Sequence, residues 1–101
     1  MLVALMPMAS LGEGESVLCR VQDRDILVAC VEGRFFAVDG RCNHAGQSLA
    51  GARIRGTEIR CPLHGARFDL ATGACTKGPA AGALNTYAVL VEKGKICVEI
   101  G

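Results

Sequence analysis

The sequence predicts an all-β protein folded as one small domain over residues 1–101. Three observations support this fold class. Short runs rich in Val, Ile and Leu recur along the chain, Gly and Asp separate them, and no long segment repeats with the 3.6-residue period of a helix. A chain of 101 residues is also too short for two ordinary domains. We therefore expect a single β scaffold.

The first half of the chain supplies four predicted strands. Residues 3–6, 17–21 and 26–31 are almost entirely aliphatic, and residues 35–39 begin with two phenylalanines. Acidic residues and glycine lie between these runs, as in the turn Glu32-Gly33, and they favour hairpin connections. We expect neighbouring runs in this half to pair as hairpins.

The second half supplies four more predicted strands. Residues 53–55 and 58–60 each place an isoleucine between charged residues, which is the alternation of a half-buried strand. Residues 87–91 and 96–100 are again rich in Val and Ile. Residues 92–95 predict a two-residue hairpin in which Gly94 supplies a positive φ. Two stretches, residues 40–51 and 61–67, carry no strand signal and are predicted loops.

Composition and charge exclude several function classes. Apolar residues make up 50% of the chain and aromatic residues only 4%, so we expect an aliphatic core. A net charge of +1 is too balanced for a general nucleic-acid binder. The apolar opening MLVALMPMAS is too short for a membrane span, and it lacks the charged start of a secretory signal. We expect a soluble cytoplasmic protein that binds neither nucleic acid nor a membrane.

The six cysteines and two histidines carry the strongest functional signal. A disulfide framework would suit an exported chain, whereas in a reducing compartment cysteines near histidines are more often metal ligands. Both histidines closely follow a cysteine, in Cys42-Asn43-His44 and in Cys61-Pro62-Leu63-His64. Both pairs fall on the predicted loops. We therefore predict a metal centre held by Cys42, His44, Cys61 and His64.

Two thiolates and two imidazoles suit either a structural zinc ion or a [2Fe-2S] cluster. A common zinc finger places its two cysteines together and its two histidines together. Here each loop carries one residue of each type. That arrangement favours a two-iron cluster, because each loop can give its Cys to one iron and its His to the other. A zinc-binding module remains the alternative.

The sequence resembles the Rieske family over nearly its whole length. The family's two boxes correspond to CNHAG at residues 42–46 and CPLHG at residues 61–65, and ARFDLATG follows at residues 66–73. A Gly-Pro pair at Gly78-Pro79 and the closing TYAVLVEKGKICVEI also match the family's order. The resemblance implies a β-sandwich or incomplete-barrel base with a small cluster-binding subdomain at about residues 40–80.

The resemblance also implies a role for each ligand. Cys42 and Cys61 would hold the inner iron of a Rieske-type [2Fe-2S] cluster, one per chain, and His44 and His64 would hold the outer iron. Since imidazoles donate less charge than thiolates, the added electron should rest on the histidine-bound iron. Gly46 and Gly65 are expected to bring backbone N–H groups close to the cluster sulfurs.

Sequence differences from the respiratory Rieske proteins indicate which subfamily this chain resembles. Those proteins join the two loops by a disulfide, but Gln47 and Leu63 occupy the matching positions here. High-potential members also place a serine and a tyrosine where this chain has Ala66 and Phe68. Both differences favour a low-potential Rieske ferredoxin, similar to the ferredoxin components of bacterial ring-hydroxylating dioxygenase systems.

This resemblance implies an electron carrier and not an enzyme. A Rieske oxygenase needs further histidines for a mononuclear iron, and the cluster uses both histidines of this chain. The expected partners are an NAD(P)H-dependent flavin reductase and a terminal Rieske oxygenase of aromatic hydrocarbon catabolism, and the carrier is expected to be a monomer. The alternative is the small Rieske-like subunit of assimilatory nitrite reductase.

Charge is unevenly distributed along the chain. Residues 1–40 carry three arginines against six acidic residues, whereas residues 41–70 carry five arginines against two. The five are expected to form a rim that steers an acidic partner: Arg41, Arg53, Arg55, Arg60 and Arg67.

The four cysteines outside the boxes have no expected metal role. We expect Cys19, Cys30 and Cys97 to be small buried side chains in strands, Cys75 to be the most exposed thiol, and Tyr87 to be a core residue beside the cluster subdomain.

Overall fold

The structure is a computed structural model that describes residues 1–42, 46, 48–62, 65–78 and 82–100. Within those ranges the chain forms three antiparallel sheets and one short 3-10 helix, Met8–Ser10. No helix in this part of the chain is long and apolar enough to cross a membrane. The predicted all-β fold class is confirmed.

Eleven strands form these sheets in the described ranges. They are β1 Leu2–Pro7, β2 Ser16–Val21, β3 Arg24–Val31, β4 Arg34–Asp39, β5 Arg53–Arg55, β6 Glu58–Arg60, β7 Arg67–Asp69, β8 Cys75–Lys77, β9 Thr86–Tyr87, β10 Val89–Glu92 and β11 Lys95–Glu99. The strand order is β1-β11-β10 in the first sheet, β2-β3-β4-β9 in the second and β5-β6-β7-β8 in the third.

Strand β3 lies at the centre of the molecule, because both of its faces are buried. Leu27, Ala29 and Val31 point into one core, which also contains residues of the third sheet and the two predicted ligand loops. The alternate residues Ile26, Val28 and Cys30 point into a second core, shared with β11. We call these the loop-side core and the base core. The second sheet therefore separates the site from the base.

The two predicted hairpin turns that flank β3 and β11 have the backbone that the sequence implies. Glu32 and Gly33 have φ values of 54° and 73°, and Lys93 and Gly94 have φ values of 51° and 74°. Consecutive positive φ values are those of a type I′ turn, whose twist matches that of paired strands. Glu92 pairs with Lys95 across the second turn, as predicted.

The third sheet positions the second loop. Strands β5, β6, β7 and β8 each have only three residues, and Ile54, Ile59 and Phe68 lie on the face that packs toward the loop-side core. β7 and β8 were not predicted as strands. β7 holds one apolar residue between two charged ones, and β8 begins with its one apolar residue, so neither run gives much periodic signal.

The predicted strand over residues 87–91 is wrong as a single element. The structure divides it at Ala88, with β9 pairing to β4 in the second sheet and β10 pairing to β11 in the first. The Ala88 carbonyl accepts a hydrogen bond from the Glu99 N–H at 2.9 Å. An apolar run does not show where a chain moves from one sheet to another.

A matched pair of core substitutions tests whether the two cores are separate. Val28 and Val38 are both fully buried, Val28 in the base core and Val38 in the loop-side core. Replacing either with alanine should lower the free energy of unfolding by about 2 kcal/mol in denaturant titrations, because each loses two buried methyl groups and leaves a cavity.

Hydrogen exchange then separates the two variants. We expect Val28→Ala to speed amide exchange chiefly in β11 and Val38→Ala to speed it chiefly in β6 and β7. Equal acceleration of all three strands by both variants would contradict the division into two cores.

Candidate metal centre

The two cysteines of the predicted site lie at the inner ends of the two loops. Cys42 follows β4 after Gly40 and Arg41, and Cys61 follows β6 directly. Their exposed fractions are 1% and 0%, and both belong to the loop-side core. The structure therefore brings the two thiols, nineteen positions apart in the sequence, into one buried cluster.

Each loop begins with a backbone turn of the same type. The Gly46 N–H donates to the Cys42 carbonyl at 2.8 Å, and the Gly65 N–H donates to the Cys61 carbonyl at 3.0 Å. Both glycines have positive φ, 65° and 73°, which side chains disfavour. We call this element the Cys-x3-Gly turn. The N–H groups of the two glycines close these turns, and the expectation that the glycines let backbone N–H groups approach the cluster sulfurs stays a prediction.

The two histidines of the predicted site lie outside the described residues, as do Gln47 and Leu63. In the sequence His44 is the third residue of its Cys-x3-Gly turn, and His64 is the fourth of the other. In the part of the chain that the structure describes, no group of three or more His, Cys, Asp and Glu side chains could hold a metal ion.

The described donors fit a soft metal or an iron-sulfur cluster. Thiolates are soft ligands that favour iron-sulfur clusters, zinc or copper(I). Deprotonated sulfur is costly to bury in apolar surroundings unless a metal or another cation compensates its charge. Cys42 and Cys61 meet this description, since apolar side chains surround both in the loop-side core.

Ala66 and Gly78 hold the second loop in position through a backbone hydrogen bond and close packing. The Ala66 carbonyl accepts a hydrogen bond from the Cys61 N–H at 2.7 Å. Gly78 packs against Ala66 so closely that a Cβ atom at residue 78 would lie 2.7 Å from the Ala66 Cα, and its φ is 103°. Only glycine satisfies both conditions. Pro79, its partner in the predicted Gly-Pro pair, lies outside the described residues.

The first loop is supported from the side by an ion pair. Arg41 donates from Nε to Asp25 Oδ2 at 2.6 Å and from Nη1 to the Gly46 carbonyl at 3.0 Å. Asp25 also accepts from Arg20 at 3.0 Å, and its side chain is only 11% exposed. We call the chain of contacts from Asp25 through Arg41 to Gly46 the Asp25–Arg41 clamp.

The clamp is electrostatically favourable and was not predicted. Hydrogen bonds from Arg41 and then Arg20 hold the pKa of Asp25 below its usual range. Asp25 lies in the β2–β3 hairpin, far from Arg41 in sequence, so only tertiary structure reveals the contact. The Gly40 N–H also donates to the Asp25 carbonyl at 2.7 Å, which fixes the start of the loop.

The predicted arginine rim is only partly correct. Arg53, Arg55, Arg60 and Arg67 lie on strands β5 to β7 and together line one cavity. Arg41 belongs instead to the clamp and lines a different cavity, with Arg20 and Asp25. Ala66 and Phe68, the positions expected to lower the potential, are both fully buried in the loop-side core.

The remaining cysteines and Tyr87 pack in or against the two cores. Cys30 and Cys97 are buried, as expected, and Cys19 is half-buried against the base core. Cys75 is also half-buried, because it begins β8 and packs against the loop-side core, so it is not the exposed turn thiol that the sequence suggested. Tyr87 packs on the base core and donates to Asp39 at 2.8 Å.

A family model and known proteins both match this chain. The model of the Rieske [2Fe-2S] domain matches residues 1–88. The ferredoxin component of the p-cumate 2,3-dioxygenase system of Pseudomonas putida is 35% identical over 102 aligned residues, covering 99% of this chain and 86% of that protein.

Solved structures agree in fold. The Sphingomonas yanoikuyae B1 ferredoxin superposes with a TM-score of 0.91 at 34% identity, covering 98% of both chains. A chain from the complex of reduced oxygenase and oxidized ferredoxin in carbazole 1,9a-dioxygenase superposes with a TM-score of 0.90 at 26% identity, covering 96% of this chain and 91% of that one.

The clamp predicts a specific loss of protection in the first loop. Asp25→Asn or Arg41→Gln should weaken the hold on the Gly46 carbonyl and speed amide exchange at Gly46 by about fivefold to tenfold. Arg20→Gln is the matched control, because it removes the other arginine of Asp25 and leaves the loop contact in place.

The pH dependence of this protection follows from the lowered pKa. A carboxyl group with a lowered folded-state pKa adds stability above its unfolded value, about 3.9, and loses it as pH falls through the folded value. Gly46 protection in the wild type should therefore stay constant from pH 7 to pH 5 after correction for intrinsic exchange. A decline within that range would show that Asp25 is not the group that holds the clamp.

Proposed function

This chain belongs to the Rieske [2Fe-2S] domain family, and we propose that it is the ferredoxin component of an aromatic-ring dioxygenase system. Its cofactor is a Rieske-type [2Fe-2S] cluster. The protein carries electrons one at a time and catalyses no reaction itself. The observation that carries the proposal is the pair of buried cysteines, Cys42 and Cys61, each at the start of a Cys-x3-Gly turn.

The ligand assignment is part of the proposal. Cys42 and Cys61 would hold one iron, and His44 and His64 would hold the other. The support for the thiols is their burial in one cluster, and the support for the imidazoles is their position within the two turns. When bound, the cluster supplies reversible one-electron transfer.

The chain itself contributes rigidity and a dry environment. The clamp holds the first loop, and the contact of Gly78 with Ala66 holds the second. Phe68, Leu49 and Ile59 enclose the thiols with no exposed surface of their own. Rigid ligands change little between two oxidation states, and an apolar surround keeps water from the sulfurs.

We propose that an NAD(P)H-dependent flavin reductase supplies the electrons and that a terminal Rieske oxygenase receives them. A relative in the carbazole system forms a complex with its oxygenase, which supports the second step. The carrier acts as a monomer in the cytoplasm, where reducing conditions keep the ligand thiols available to iron. The aromatic substrate binds to the oxygenase.

Metal analysis and spectroscopy test the cluster. Anaerobically purified protein should contain about two irons and two acid-labile sulfides per chain, and the dithionite-reduced form should give the electron paramagnetic resonance spectrum of a mixed Cys/His cluster. Cys42→Ala and Cys61→Ala should abolish iron binding and leave the third sheet poorly folded, because metal binding contributes to folding.

Matched controls separate ligands from structural residues. Cys30→Ala and Cys97→Ala remove buried thiols from the base core and should retain full iron content. His44→Cys and His64→Cys should keep a cluster of altered spectrum. A wild-type protein that contains stoichiometric zinc and shows no visible absorption would contradict the proposed cluster.

The reduction potential tests the surroundings of the cluster. Ala66 and Phe68 offer no hydroxyl donor, so the midpoint should lie near the low end of the Rieske range, about −150 mV. Ala66→Ser and Phe68→Tyr should each raise it by about 40 mV per hydrogen bond formed to the reduced state.

A conservative control shows whether the effect is local. Phe36→Tyr adds the same hydroxyl to another side chain that packs on the loop-side core and should leave the potential unchanged. A wild-type midpoint above about +100 mV in voltammetry would contradict the roles given to Ala66 and Phe68.

A further inference from the structure

The outer face of the third sheet carries one cation from each of its four strands in a single row. Arg53 pairs with Arg60, Arg60 pairs with Arg67, and Arg67 pairs with Lys77. We call these four residues the cationic row. Their neighbours in sequence, such as Ile54 and Phe68, point to the opposite face and pack in or against the loop-side core.

The cationic row is unfavourable for the sheet itself. Neighbouring strands lie about 4.8 Å apart, and like charges directly opposite each other are destabilising. None of the four cations forms an ion pair with any residue that the structure describes. A feature that weakens the isolated fold is explained if something outside the chain supplies the missing negative charge.

Acidic residues are present in this sheet but lie in the next row. Arg55 pairs with Glu58, and Glu58 pairs with Asp69. Exchanging Glu58 with Arg60 and Asp69 with Arg67 would have placed two carboxylates among the cations of that row and neutralised it. The sheet instead keeps one mixed row and one row of uniform sign.

The cationic row borders the metal centre. Arg60 immediately precedes Cys61, and its Nη2 atom lies 3.3 Å from the position that a Cβ on Gly65 would occupy. Arg53 and Arg60 line one open cavity together with Cys61, Pro62 and Gly65. A molecule bound along the cationic row would therefore touch the second ligand loop.

The third sheet carries a net positive charge, whereas the rest of the chain carries a net negative one. Residues 53–77 carry five cations against two carboxylates, a net charge of +3, while the remaining residues carry six cations against eight carboxylates, a net charge of −2. An approaching acidic molecule is attracted to the third sheet and repelled by the rest of the chain. Such a division orients a partner before contact.

We propose that the cationic row is the docking surface for an acidic protein partner, an electron-transfer protein that presents a line of carboxylates beside its own redox centre. This inference rests on the proposed function and adds the chemistry of the partner. The four strands give the row a length of about 14 Å, enough for several carboxylates. A protein is favoured over a nucleic acid because the row leads to the ligand loop.

The reaction that this surface promotes is the transfer of a single electron. One electron leaves the reduced protein and enters the acceptor, and no proton or bond is exchanged. The sign of the local charge then decides how fast acceptors of opposite charge react. Two small acceptors serve as probes: ferricyanide, an anion reduced to ferrocyanide, and hexaammineruthenium(III), a cation reduced to hexaammineruthenium(II).

Stopped-flow kinetics with the reduced holoprotein tests the surface. Between 0.01 M and 0.15 M salt the screening length falls from about 30 Å to about 8 Å. The second-order rate constant with ferricyanide should fall by about tenfold over this range, and that with hexaammineruthenium(III) should not fall.

Two double variants carry the same change in net charge. Arg53→Glu/Lys77→Glu places carboxylates at both ends of the cationic row and spares Arg60, which touches the ligand loop. This variant should lose most of the ferricyanide salt effect. Arg34→Glu/Lys95→Glu changes exposed cations of the second and first sheets and should retain it. Equal behaviour of the two variants would overturn the proposal.

A binding measurement gives a second readout that needs no electron transfer. A fluorescent peptide of eight glutamates should bind the holoprotein in low salt, and Arg53→Glu/Lys77→Glu should weaken that binding by at least about tenfold, whereas the control variant should not. Tighter binding of a thymidine oligonucleotide of equal charge would overturn the choice of a protein partner.

The two readouts keep the failures distinct. A folded preparation that holds zinc and no iron contradicts the proposed function, and peptide binding to it still reports on the surface. A preparation with the expected cluster but no difference between the variants contradicts the docking surface alone.

Discussion

The burial of β3 on both faces is the constraint on which the rest of the structure depends. From Ile26 to Val31 no residue is more than 6% exposed. One set of side chains forms the loop-side core and the other forms the base core. A strand of this kind cannot shift register by one residue without exchanging its two cores, so it fixes the second sheet relative to both neighbouring sheets. The ligand loops inherit their position from this arrangement.

The two loops are held in position by different kinds of contact. Each uses a Cys-x3-Gly turn, but the first is held by a salt bridge at its side and the second by close backbone packing below it. The first support is polar and involves Asp25 from a distant hairpin. The second is steric and involves no charge. Loss of one support therefore leaves the other loop in place.

Much of the fold could be predicted because its signals are local. The run over residues 26–31 and the Lys93-Gly94 turn carry their own periodicity and φ requirement, and the Cys/His spacing indicates a metal centre without tertiary information. The change of sheet at Ala88, the Asp25–Arg41 contact and the alignment of Lys77 with three arginines could not. Each depends on residues that meet only after distant strands pair.

The contact between Gly78 and Ala66 links two positions that a protein engineer would treat as independent. The carbonyl of residue 66 accepts the hydrogen bond from the Cys61 N–H, and a Cβ atom at residue 78 would lie 2.7 Å from the Cα of residue 66. A side chain introduced at position 78 would therefore displace residue 66, and with it the carbonyl that accepts from the Cys61 N–H. The position of the second Cys-x3-Gly turn thus depends on a glycine that lies seventeen residues beyond Cys61 in the sequence.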